Sequence, residues 1–98
     1  MPKLVRDNIP DIITAKGEHF VSHVADDAEY WQRLKEKLAE EVGEFQKDEN
    51  ESELADILEV IDAIVAYKKF DQASIAVVKA KKFAERGGFA KRIVLDEH

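Results

Sequence analysis

Residues 26–69 read DDAEYWQRLKEKLAEEVGEFQKDENESELADILEVIDAIVAYKK, and their periodicity decides the fold. Trp31, Leu34, Leu38, Val42 and Phe45 recur at intervals of three and four, which places them on one face of a helix running to about Lys47. Asp26 with Glu29 three residues later resembles a capping box and marks its start. Asp48 to Ser52 reads as a turn with Ser52 as the next N-cap, followed by a helix from Glu53 to about Lys69. Leu54, Ile57, Leu58, Ile61, Ile64 and Val65 form its apolar face, widened by Val60 and Tyr67. Two amphipathic helices joined by a short polar turn predict an antiparallel hairpin.

Acids stand on the core-facing edges of both helices. The first helix carries E-E-V-G-E at residues 40–44 and the second carries E-L-A-D at residues 53–56. Antiparallel pairing about the turn puts Glu41 level with Asp56 and Glu44 level with Glu53. On an ideal wheel Glu41 falls about 60° from the centre of its apolar stripe and Glu44 about 120° from it. Glu53 lies inside the widened apolar arc of its helix and Asp56 at its edge, whereas Glu59 and Asp62 face water. Four converging carboxylates repel by roughly 4 kcal/mol per pair at ~4 Å and an effective dielectric near 20. Mg²⁺, a hard cation that prefers oxygen donors, is the natural counter-charge. Any one of these acids alone would read as a solvated surface charge, but two i,i+3 pairs placed symmetrically about one turn point to a site.

Outward from the hairpin, residues 1–6 read as extended, Asp7 or Asn8 caps a short helix that tolerates Pro10 in its first turn, and Gly17 stops it. Residues 18–25 lack a helical period, and Phe20 to Val24 is expected to pair with a short strand at Phe89 to Leu95. A fourth helix runs from about Asp71 to Arg86, with Ile75, Val78 and Phe83 toward the core, and ends at Gly87 and Gly88. The fold class is therefore mainly α, a helical bundle with a small two-stranded β element. Lys79, Lys81, Lys82 and Arg86 make the end of the fourth helix basic, which suits its dipole; Lys82 and Arg86 also share a face suited to phosphate.

Composition narrows the function. A chain of 98 residues is read as a single domain with a small core, for which oligomerisation would be a help. The net charge is −6 with no concentrated basic block, which disfavours a nucleic-acid polymer as partner. The absence of cysteine removes disulfides, thiolate zinc sites and cysteine nucleophiles. Charges interrupt every apolar run, so no membrane span or signal peptide is expected and a cytoplasmic location is. Asp48, Asn50, Ser52, Asp56 and Glu59 match an EF-hand count, but Glu53 stands where that loop needs glycine and a helix starting there leaves the loop too short. His19, His23 and His98 are assigned no ligand role. Trp31 is read as core, with stacking on a base as the alternative.

Glu40, Glu41 and Glu44 followed by Glu53 and Asp56 resemble the E-E-x-x-E and E-x-x-D motifs of the all-α nucleoside triphosphate pyrophosphohydrolases, the MazG-like superfamily that includes phosphoribosyl-ATP pyrophosphohydrolase. K-L-V-R-D-N-I-P from Lys3 to Pro10, R-G-G-F from Arg86 and R-I-V-L ending at Leu95 resemble a small stand-alone branch of it. The resemblance implies an oligomeric helical bundle, a homodimer or homotetramer, and cleavage of the α–β phosphoanhydride of a nucleotide to a monophosphate and pyrophosphate, with clearance of non-standard nucleotides as the purpose. It implies Mg²⁺, with Mn²⁺ as a substitute, on Glu41, Glu44, Glu53 and Asp56. Glu40 and Glu41 would be the catalytic acids, and Lys79, Lys82, Arg86 and Arg6 the substrate contacts, with Arg6 and Lys3 as candidates for donation to a neighbouring chain. The alternatives are a non-catalytic helical dimerisation or regulatory module and the histidine-pathway enzyme.

Overall fold

The computed structural model describes residues 2–98, which form four helices: α1 (Ile9–Ala15), α2 (Asp27–Lys47), α3 (Glu51–Lys68) and α4 (Gln72–Arg86). α2 and α3 make the antiparallel hairpin, and its interior is the core. Leu34 is 1% exposed and Val60 8%; they are the only buried side chains among the described residues. Trp31, Leu38, Phe45, Ile57 and Ile64 are half-buried around them.

The caps explain where the helices begin. Asp26 Oδ1 accepts from the Glu29 amide at 2.9 Å, as the capping signature predicts. The second cap differs from expectation. Asn50, not Ser52, caps α3: its Oδ1 accepts from the Glu53 amide at 2.9 Å, and the turn contracts to Asp48–Asn50. Asparagine reaches the third amide of the helix as readily as serine does, so the earlier of two competent caps sets the boundary. Asn50→Ala is therefore expected to lower stability by about 1 kcal/mol in denaturant unfolding, with Ser52→Ala near neutral. With Asp48 ending α2 and Asn50 capping α3, no twelve-residue calcium loop exists between them.

An aromatic clasp closes the hairpin at the end away from the turn. Trp31 stacks on Tyr67 with centroids 5.2 Å apart and planes 2° from parallel, and Tyr30 meets Tyr67 edge-on at 5.5 Å. Tyr67 Oη donates to Asp27 Oδ2 at 3.0 Å, and Lys68 Nζ stands 4.4 Å from the Trp31 ring centroid. Trp31 is thus engaged by its own fold.

The expected strand pair does not form. Residues 18–25 and 89–95 contain no strand, and Val21, Val24, Phe89 and Ile93 are exposed. A two-stranded ribbon without a surface to pack against is marginal in water, and α4 offers these segments none. α4 itself leaves the hairpin after Lys69, which takes the left-handed conformation at φ 57°, and every residue of α4 is exposed. Ile75, Val78 and Phe83, expected in the core, face outward within this chain. No helix among the described residues is long and apolar enough to cross a membrane.

Candidate metal centre

The hairpin brings acids from both helices together. Glu41 on α2 and Glu53 and Asp56 on α3 each offer a carboxylate oxygen, and these three atoms lie within 4.8 Å of one another. All three residues are half-buried, as their places at the edges of the apolar faces require. Glu44, expected level with Glu53, stays outside this group, although its charge is felt there. Glu40 also stands apart, between Lys3 Nζ at 3.4 Å and Lys37 Nζ at 3.5 Å.

Two of the three converging acids have cationic partners. Arg6 Nη2 donates to Asp56 Oδ1 at 2.7 Å across 50 positions of sequence, and Lys37 Nζ lies 3.2 Å from Glu41 Oε1. Glu53 has none: among the described residues no cation stands within ion-pairing distance of it or of Glu44. The Glu53 carboxyl is consequently pushed above the ordinary glutamate range, first by lost hydration and then by the charges of Asp56, Glu44, Asp48 and Glu41. Its place in the first turn of α3 favours the carboxylate. Lost hydration and four acids outweigh that preference.

This donor set suits Mg²⁺. All donors are carboxylate oxygens, one is left without a counter-charge, and ligands on an octahedral Mg²⁺ are about 3 to 4 Å apart, close to the observed spread.

A cleft of about 590 Å³ opens beside the acids. It is lined by Arg6, Asp7 and Asn8 of the N-terminal segment, by the charged Lys37, Glu41 and Asp56, and by the apolar Leu34, Val60 and Ala63. Arg6 lines this cleft and is paired with Asp56 of its own chain. Glu59, read from sequence as a plain surface charge, is exposed but borders this cleft. Asp62 on the same helix is the better control for the acids. Lys37 was visible in the sequence as the residue four before Glu41; Tyr30, Asp7 and Asn8 carried no such signal.

The other basic candidates lie elsewhere. Lys79 and Lys82 line a separate cleft with Phe70, Ile75 and Val78, and Arg86 ends α4. None of the three lines the acid cleft.

Fold and site together define a small all-α protein whose helical hairpin carries a carboxylate cluster beside a mixed polar and apolar cleft. A protein of uncharacterised function from Mycolicibacterium smegmatis is 49% identical over 45 residues, a match that spans 46% of each chain. The chain therefore matches less than half the length of that relative. No family model matches this chain, and no solved structure matches it.

Proposed function

We propose that this protein is a Mg²⁺-dependent nucleoside triphosphate pyrophosphohydrolase, acting on non-standard nucleotides in the cytoplasm, where triphosphates and Mg²⁺ are both at hand. The observation that carries the reading is the convergence of Glu41, Glu53 and Asp56 from two helices, with Glu53 left without a counter-charge. Support also comes from the neighbouring cleft, which has the size and the mixed lining that a nucleotide needs.

Glu41, Glu53 and Asp56 hold Mg²⁺ in this reading, with Glu44 joining by rotation; Mn²⁺ would serve as a substitute. The ion would neutralise phosphate oxygens and make an attacking water more acidic. Water adds to the α-phosphorus, the bond from that phosphorus to the α–β bridging oxygen breaks, and pyrophosphate leaves with that oxygen. Glu41, which lines the cleft, would take the proton of the water, and Glu40, which shares Lys37 with it, would assist. Arg6 exchanges Asp56 for a phosphate oxygen, and Lys79, Lys82 and Arg86 are further phosphate contacts. The protein acts as a homodimer or homotetramer.

The test is pyrophosphate release, read as phosphate after added inorganic pyrophosphatase, over a panel of NTPs, dNTPs and phosphoribosyl-ATP. Turnover with Mg²⁺ or Mn²⁺ is expected on at least one of them. None on any would leave a non-catalytic helical module, and phosphoribosyl-ATP as the sole substrate would make it the histidine-pathway enzyme. Arg6→Ala is expected to tighten Mg²⁺ about two- to five-fold in calorimetry, because a competing cation worth up to about 1 kcal/mol is gone, while KM for the nucleotide rises.

A further inference from the structure

The chain exposes far more surface than its size requires. Its accessible surface is 8786 Å², against about 5,700 Å² for a compact protein of 11.2 kDa. Its radius of gyration is 17.7 Å, against about 13 Å for a compact chain of this length. The excess, about 3,000 Å², is well above the ~800 Å² that each partner covers in an ordinary stable interface. Two apolar helix stripes are part of that exposed surface. One is on α4, where Ile75 and Val78 share a face with Lys79, Lys82 and Arg86. The other is on the outer side of α3, where Leu54, Leu58 and Ile61 recur at i, i+4 and i+7 and are 46%, 56% and 40% exposed.

Charge decides which stripe meets which. Between residues 72 and 94 six cations face one acid, Glu85, a net of +5. With −6 for the whole chain, the rest carries −11. Within these parts, α4 (residues 72–86) carries +3 and the α2–α3 hairpin (residues 27–68) −8, so two α4 helices packed on each other would set +3 against +3, and two hairpins −8 against −8. Only α4 against the hairpin joins unlike charge and apolar surface at once.

We infer that α4 of one copy packs on the Leu54–Leu58–Ile61 stripe of a second copy, and that the exchange is reciprocal about a two-fold axis. The inference rests on the dimer reading above and adds to it the elements that meet. Ile75 and Val78 cover the stripe, and Lys79, Lys82 and Arg86 lie along the acidic hairpin of the other copy. That docking gives these three cations a route to an acid site that they do not approach in their own chain.

Complementation tests it. By sedimentation velocity, the wild type is expected to be dimeric, and Val78→Asp and Leu58→Asp are each expected to weaken the dimer at least about tenfold. Lys79→Glu/Lys82→Glu should do the same at low salt and less so at 1 M NaCl. Both apolar positions are exposed within the chain, so circular dichroism should show each variant's helices intact. Mixing Val78→Asp with Leu58→Asp restores one unaltered α4–hairpin contact, so native mass spectrometry should detect a heterodimer under conditions where neither variant self-associates. A wild type that stays monomeric overturns the dimer reading and this inference together. A dimer that survives Val78→Asp, or a mixture that shows no heterodimer, overturns the α4–hairpin exchange and leaves the dimer reading standing.

Discussion

Glu53→Gln is expected to raise the metal-free melting temperature at pH 7 and to abolish both the stabilisation by Mg²⁺ and turnover. The folded protein holds the Glu53 proton more tightly than the unfolded chain does, because lost hydration and the acids around it oppose ionisation. The sign of the linkage follows. Below the ordinary glutamate pKa both states are protonated and Glu53 carries no penalty. As pH rises through the folded-state value the carboxylate forms against its neighbours, and the folded state loses stability relative to the neutral variant. The gain from Glu53→Gln should therefore be present at pH 7 and vanish below about pH 4.

Excess Mg²⁺ reverses the order. An ion that binds only the folded state stabilises the wild type by about 2.7 kcal/mol at a hundred times its Kd and so raises its melting temperature, and a glutamine amide cannot replace the missing charge. The two melting curves should cross on titration with Mg²⁺. Asp62→Asn, on the same helix but outside the cluster and the cleft, should leave the Mg²⁺ response unchanged. A Glu53→Gln variant that responds to Mg²⁺ as the wild type does would remove Glu53 from the metal centre.

Leu34→Ala carries the largest expected loss of stability, about 2–5 kcal/mol in denaturant unfolding. Leu34 is 1% exposed and stands at the centre of the α2–α3 contact, where only Val60 is comparably enclosed. Removing three carbons there leaves a void that the rest of a thin core cannot close, and a small domain holds only a few kcal/mol in reserve. The same side chain lines the acid cleft, so the loss should also weaken Mg²⁺ binding by loosening the alignment of Glu41 with Asp56. Leu58→Ala, on the exposed stripe, should cost the monomer far less. Similar losses at the two positions would contradict the burial of Leu34 and the exposure of Leu58.

Much of the fold was legible because its information is local. The three-and-four spacing from Trp31 to Phe45 and from Leu54 to Val65 marked α2 and α3, Asp26 marked the start of α2, and Gly17, with φ of +74°, marked the end of α1. Periodicity also put Glu41, Glu53 and Asp56 at the edges of apolar faces, where they are half-buried. It failed for residues 18–25 and 89–95, because alternation in a short segment cannot show whether a partner surface exists. It also gave α4 a core-facing stripe without revealing that nothing among the described residues covers it.

Sequence alone determined that this protein is helical, that a short turn joins two long amphipathic helices, and that acids line their inner edges, since each of these depends on neighbours within one or two turns. Tertiary structure alone decided that Glu41, Glu53 and Asp56 meet while Glu44 stands aside, that Arg6 reaches Asp56 from 50 residues away, and that α4 turns outward. Those outcomes depend on the level at which two helices pack and on where chain ends fold back. Separations of that kind are set by contacts across the core and leave no period in the sequence.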